Sequence, residues 1–148
     1  ELVLKIGKNG KCINEKFAES YISEIGLGID FTARDIQKRL KEKGHPWEIA
    51  KGFNGSAVIS NFVSVDNFKD LNDINFYLLK NGEKVQIGNT KDMIFTVDKI
   101  ISYVSQFMTL KIGDIIFTGT PAGVGKVEIG DKLEGFLGEK QLISIDIK

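Results

Sequence analysis

Asp30 closes the apolar stretch Ile25 to Ile29, and a carboxylate that enters a core unpaired costs several kcal/mol. Something must compensate it. One reading places Asp30 beside a helix start, where the helix dipole favours negative charge. The other gives it metal ligation or acid–base work at the carboxyl end of a strand. Arg34 and Gln37, i and i+3 on the first turns of the following segment, bring a guanidinium fork and an amide to the same place. That trio suits a small oxyanionic ligand, although an Arg34–Asp30 ion pair with a solvated Gln37 uses the same residues. Lys51 follows Trp47, Ile49 and Ala50 and precedes Phe53. Partial desolvation there would make its ammonium a carboxylate binder or a general base, the plain alternative being a snorkelling side chain. Glu1 offers a second carboxylate at a strand start, or else an exposed end residue. His45, between Gly44 and Pro46 in a turn, receives no role.

The stretch Thr118 to Lys126 is glycine-rich and invites a phosphate-loop reading, which its spacing refuses. A second glycine is required five places after Gly119, where Val124 stands, and Lys126 is followed by Val127 instead of Ser or Thr. The Gly-x-Gly-x-x-Gly dinucleotide pattern is absent as well. What remains is a loop whose free N–H groups and Thr120 hydroxyl could hold a carboxylate or enolate oxygen, or a plain turn.

These residues need elements to position them. Tyr21 to Phe31 reads as a strand that runs into Thr32-Ala33-Arg34-Asp35, a Thr-x-x-Asp capping-box pattern. A helix from about Ala33 follows, with Ala33, Ile36 and Leu40 as its apolar stripe and Gly44 and Pro46 as its stop. Ser56 to Val65 reads as β, and Asn75 to Gly88 as a hairpin about Asn81-Gly82, the type I′ signature. Thr96 caps a second expected helix, with Val97, Ile100, Ile101, Val104, Phe107 and Met108 as a core stripe. Asp114 to Thr118 reads as a buried strand, and the remainder as a meander with turns at Gly130-Asp131 and Gly138-Glu139. Sixteen glycines against two prolines fit many tight turns and show no linker. The expected class is α+β, strand-rich with two main helices, in a single domain spanning residues 1–148.

Twenty Lys+Arg balance twenty Asp+Glu, so the electrostatic footprint of a nucleic-acid binder is missing. No apolar run approaches the ~20 residues of a membrane helix. One Cys and one His make neither an internal disulfide nor a closed zinc site, which points to a reducing, cytoplasmic setting. The chain opens on Glu1 without an initiator Met, straight into a strand, so preceding residues are expected to be missing.

In combination, ELVLKIGK, GIDFTARDIQ, GHPWEIAKGFNGSA and MIFTVDKIISYVSQFMTLKIGDIIFTGTPAGVG resemble the fumarylacetoacetate hydrolase family, specifically its acylpyruvate hydrolase branch. The resemblance covers essentially the whole chain. It implies a mixed β-roll with peripheral helices, assembled as a homodimer. It also implies a Mg²⁺ or Mn²⁺ ion held by two glutamates of a Glu-x-Glu strand and by the aspartate of the Asp-x-Thr-Ala-Arg-Asp motif. Asp30 matches that aspartate and Glu1 the second glutamate. The first glutamate falls two residues before Glu1, and the lid that supplies a His and a Glu to activate water also belongs upstream. Arg34, Gln37, Lys51 and Thr120 match positions that bind the substrate's oxoacid end.

Hard divalent ions prefer carboxylate oxygens and keep open positions for a chelating 2-oxoacid, whose enolate charge a Lewis acid offsets. The implied activity is hydrolysis of a carbon–carbon bond in an acylpyruvate-like 1,3-diketo acid, giving a carboxylic acid and pyruvate. Asp30 and Glu1 hold the ion in this reading, Arg34 and Gln37 orient the substrate, Lys51 neutralises its carboxylate, and Thr120 fixes an oxygen. Oxaloacetate decarboxylation is the leading enzymatic alternative. A catalytically silent chain that binds metal or oxoacid is the other.

Overall fold

The computed structural model describes residues 1–148. In chain order the elements are β1 (Leu2–Ile6), β2 (Ile22–Asp30), α1 (Arg34–Glu42), α2 (Glu48–Lys51), β3 (Ala57–Ile59), β4 (Val63–Ser64), β5 (Asn75–Lys80), β6 (Glu83–Asn89), α3 (Val97–Phe107), β7 (Ile115–Phe117), β8 (Lys132–Leu137) and β9 (Lys140–Asp146), with three short 3₁₀ turns between them. One sheet runs β3-β2-β1-β7, with β4 also pairing β2, and the second runs β6-β5-β8-β9. All pairings are antiparallel. The result is the α+β, strand-rich roll that the sequence led us to expect.

Alternation explains the packing. On β1, Leu2, Leu4 and Ile6 share one face, and on β2 Ile25 and Leu27 share the face opposite them. These five side chains are nearly free of solvent and join Val97 and Ile101 of α3 and Phe76, Leu137 and Ile143 of the second sheet in one core. The other face of β1 and β2 carries Glu1, Val3 and Lys5 against Glu24, Gly26, Gly28 and Asp30. Gly28 has a packing reason: a Cβ there would stand 2.4 Å from the Phe117 ring and 2.6 Å from Val3. Bare backbone lets Phe117 cover Val3, which is fully buried although it points away from the main core.

The hairpin forms as expected. Asn81 and Gly82 have φ of 53° and 82°, both left-handed as a type I′ turn requires, and Lys80 pairs with Glu83. Its turn is bolted to the segment before β8. Lys80 Nζ lies 2.8 Å from Asp131 Oδ2, Asn81 Nδ2 donates to Asp131 Oδ1 at 2.7 Å, and the Glu128 N–H donates to Asp131 Oδ2 at 2.7 Å. These donors, Lys80 foremost, push the Asp131 carboxyl down to about 2. A folded-state value below the ordinary carboxylate range means that this stabilisation is complete above the unfolded value and is lost as pH falls toward about 2. Acid unfolding followed between pH ~5 and ~2 should therefore be shallower in Asp131→Asn than in the wild type.

Several sequence expectations are corrected. Thr32 and Asp35 form no capping box: Ala33 occupies the N-cap of α1 without a side-chain hydrogen bond, and the Thr32 hydroxyl is buried without a partner. Thr96 does not cap α3 through its side chain either. Asn72 Oδ1 takes the Val97 N–H instead, at 3.3 Å. The α3 stripe enters the core only through Val97 and Ile101, with Ile100 and Val104 half-buried, while Phe107 and Met108 at its end are 67% and 65% exposed. Ser56 to Val65 breaks into β3 and β4. The strand near Asp114 to Thr118 is an edge strand, with β1 on one side only and Ile115 exposed. The single turn α2 was not anticipated.

Candidate active site

Strand register brings the first two carboxylates together. Glu1 and Gly28 exchange both backbone hydrogen bonds, amino nitrogen to carbonyl at 2.8 Å and Gly28 N–H to Glu1 carbonyl at 2.9 Å. Residues directly opposite one another project to the same face, so Glu1 and Asp30, two positions further along β2, are diagonal neighbours on that face. Such positions lie about 7–8 Å apart along the backbone, within reach of long side chains.

Each carboxylate has a partner. The Gly119 N–H donates to Glu1 Oε2 at 3.0 Å, an approach made with Gly119 at φ 105°, where L residues are strained. Lys51 Nζ lies 2.5 Å from Asp30 Oδ2, both side chains being about one-third exposed. The α2 turn is what delivers Lys51. Its chain leaves α1 through Gly44 (φ 64°), where the His45 N–H bonds to the Leu40 carbonyl and the Gly44 N–H to that of Lys41, the paired bonds of a Schellman motif. The Ala33 N–H then bonds to the Ala50 carbonyl, clamping the end of α2 beside the start of α1.

Glu1, Asp30, Arg34, Lys51 and Thr120 all line one open cleft of ≈ 1200 Å³ between the two sheets and the loop after β7. Gln37 is not on its wall but touches it through Arg34, whose Nη1 donates to Gln37 Oε1 at 3.0 Å. Asp30 makes no capping hydrogen bond to α1, and it pairs with Lys51 and not with Arg34. Lys51 and Glu1 are both half-buried, the first with its Nζ on Asp30 and the second with its carboxylate on the Gly119 N–H. Arg34 keeps an exposed guanidinium at the cleft.

The cleft is lined by the carboxylates of Glu1, Asp30 and Asp35 and by the cations of Arg34, Lys51, Lys80 and Lys126. The free donors are therefore oxygens for a hard cation and N–H groups for an anion. No cluster of three His, Cys, Asp or Glu side chains close enough to hold a metal forms within the chain. Glu1 and Asp30 thus offer two carboxylates on one face, the donor chemistry that a hard divalent ion takes.

Two participants were not read from the sequence. Gly119 supplies its N–H to Glu1, and Gln86 of β6 donates from Nε2 to Thr120 Oγ1 and to the Pro121 carbonyl, at 3.1 Å each. The trace of Gln86 was present as an inversion: along β6 the apolar Val85 and Ile87 are exposed, and the polar Gln86 between them is half-buried.

Comparison with known proteins bears on this geometry. The model of the fumarylacetoacetate (FAA) hydrolase C-terminal family matches residues 1–148. The mitochondrial oxaloacetate tautomerase FAHD1 of Bos taurus is 44% identical over 134 residues, which are 90% of this chain and 61% of that protein. The mitochondrial oxaloacetate decarboxylase of Dictyostelium discoideum is 43% identical over 134 residues, 90% of this chain and 62% of that protein. The chain thus spans about three-fifths of the length of these relatives. Among solved structures, fumarylpyruvate hydrolase from Pseudomonas aeruginosa in complex with Mn²⁺ and pyruvate superposes with a TM-score of 0.93 at 38% identity, covering 99% of this chain and 63% of that one.

Proposed function

Because the chain belongs to the fumarylacetoacetate hydrolase family, we propose that the whole protein is a divalent-metal-dependent enzyme that hydrolyses the carbon–carbon bond of an acylpyruvate-like 1,3-diketo acid. Water enters, and a carboxylic acid and pyruvate leave. The observation that carries this reading is the gathering of Glu1, Asp30, Arg34, Lys51 and Thr120 on one cleft.

Glu1 and Asp30 would hold Mg²⁺ or Mn²⁺, a reading supported by their shared face on paired strands, with a further carboxylate of the whole protein completing the set. Such an ion supplies Lewis acidity against the negative charge that builds on an oxoacid oxygen when the bond breaks. Arg34, steadied by Gln37, orients the oxoacid with its planar fork. Lys51, seated beside Asp30, neutralises the substrate carboxylate as a compact charge. Thr120 donates its hydroxyl hydrogen to a substrate oxygen. With a dication added, this end of the cleft carries an excess of positive charge, which suits a dianionic ligand.

The names of the bovine and Dictyostelium relatives favour a second reading, oxaloacetate as substrate, by decarboxylation or tautomerisation. It uses the same residues, since both substrates are 2-oxoacids with an acidic carbon next to the keto group. A homodimer and a cytoplasmic setting are part of the proposal; the relatives above are named as mitochondrial.

The full-length protein, stripped with a chelator and reloaded with Mn²⁺ or Mg²⁺, should be assayed for loss of acetylpyruvate and of oxaloacetate side by side. Metal-dependent formation of pyruvate and acetate from acetylpyruvate is the expected result. Turnover of oxaloacetate alone moves the assignment to the second reading. Tight metal-dependent oxalate binding without turnover of either makes the protein a silent binder, and no binding at all sinks the site.

A further inference from the structure

Gln86 lies on a different sheet from Asp30, yet both N–H bonds of its amide are spent on the loop that carries Thr120. Pro121 offers only a carbonyl, which accepts, so the amide must turn its NH₂ group toward the loop. Thr120 Oγ1 is then the acceptor of the second bond, and a hydroxyl that accepts on one side has its own hydrogen free on the other. Gly123 presses the same loop onto β6: at φ 97° its Cβ position stands 2.2 Å from the Val85 carbonyl oxygen, so no side chain fits between loop and strand.

From this geometry we infer that Gln86 is a positioning residue that sets Thr120 as a hydrogen donor and so makes this side of the cleft selective for carbonyl or carboxylate oxygens over donor groups. The inference rests on the proposed function, in which Thr120 meets the oxoacid. It adds what makes the hydroxyl a donor. Without Gln86, Thr120 is free to turn its hydrogen toward the protein and present a lone pair to the ligand, which an oxoacid oxygen repels.

The test uses the full-length protein loaded with Mn²⁺ and oxalate as the probe, with affinity read by calorimetric titration. Gln86→Met removes both donors at similar volume. Gln86→Glu keeps the shape but turns the partner into an acceptor that takes the Thr120 hydrogen. Both should weaken oxalate binding about 10-fold, the worth of one hydrogen bond to a charged group. Thr120→Val should do the same, and adding either Gln86 substitution to it should produce no further loss. In turnover, KM should rise by a similar factor while kcat changes less than about 2-fold. Thermal melting of each variant separates unfolding from loss of binding, and Gln86→Glu serves if Gln86→Met does not fold. Affinity within 2-fold of wild type in both Gln86 variants, with Thr120→Val impaired, overturns the inference and leaves the functional reading standing. Additive losses in the double variants overturn it too. If Thr120→Val and Asp30→Ala also bind oxalate normally, it is the functional reading that falls.

Discussion

Asp30→Ala in the full-length protein is expected to lower turnover of the proposed 2-oxoacid substrate by roughly 10³-fold or more while leaving the fold in place. Two independent observations set that contrast. The Asp30 side chain is about one-third exposed, so its ion pair with Lys51 contributes only about 0–1 kcal/mol to stability. It caps no helix, and α1 starts without it. Its loss takes one of the two proposed metal ligands from the cleft and frees Lys51 from the position beside it. Metal-dependent oxalate binding should disappear with activity, while the melting temperature shifts by no more than a few degrees. A variant that keeps most of its turnover would show that Asp30 is a structural acid.

Ile101→Ala is expected to do the reverse. Ile101 is fully buried on α3 among Leu2, Leu4 and Ile25, and truncation in such a site costs about 2–5 kcal/mol. In a domain of this size that corresponds to a fall in melting temperature of about 5–15 °C. No residue of α3 lines the cleft, so activity per folded molecule should stay near the wild-type level at temperatures where the variant is folded. Calorimetric melting together with kcat measured at low temperature checks both halves. A large loss of kcat without loss of stability would mean that α3 is coupled to the site and is not merely part of the core.

The two substitutions also show what could be read from the sequence and what could not. Apolar runs located β1 and β2, the Asn81-Gly82 turn signature located the hairpin, and period-3.6 patterning located the two longer helices, because turn chemistry and the burial of one face are written directly into residue order. The site residues followed from residue type at the ends of those elements and from the family resemblance, with Gln37 reaching the cleft only through Arg34. Caps were misread. Thr32 falls one residue before the N-cap of α1, which is Ala33, and Thr96 holds the N-cap of α3 without a side-chain hydrogen bond, the Val97 N–H going to Asn72. The burial of Ser105 and the exposure of Phe107 and Met108 likewise depend on how α3 rests on the rest of the chain, which periodicity does not specify. Gln86 and Gly119 act through contacts 34 and 118 positions away along the chain, and no local pattern encodes such pairings.

The pegs that hold the loop after β7 have an evolutionary meaning. The spacing of Glu1 and Asp30 is dictated by a backbone ladder, which is indifferent to what happens between Pro121 and Lys126. That stretch is fastened at separate points, by Gln86 at one end and by Lys80, which holds the Lys126 carbonyl at 2.9 Å, at the other. Gly123 in its middle is locked against the Val85 carbonyl, while the exposed Val124 beside it is free to vary in size and polarity. Under the proposed function, new appetites for differently shaped acyl groups can therefore arise by rewriting a codon or two there, with the chemical engine inherited unchanged.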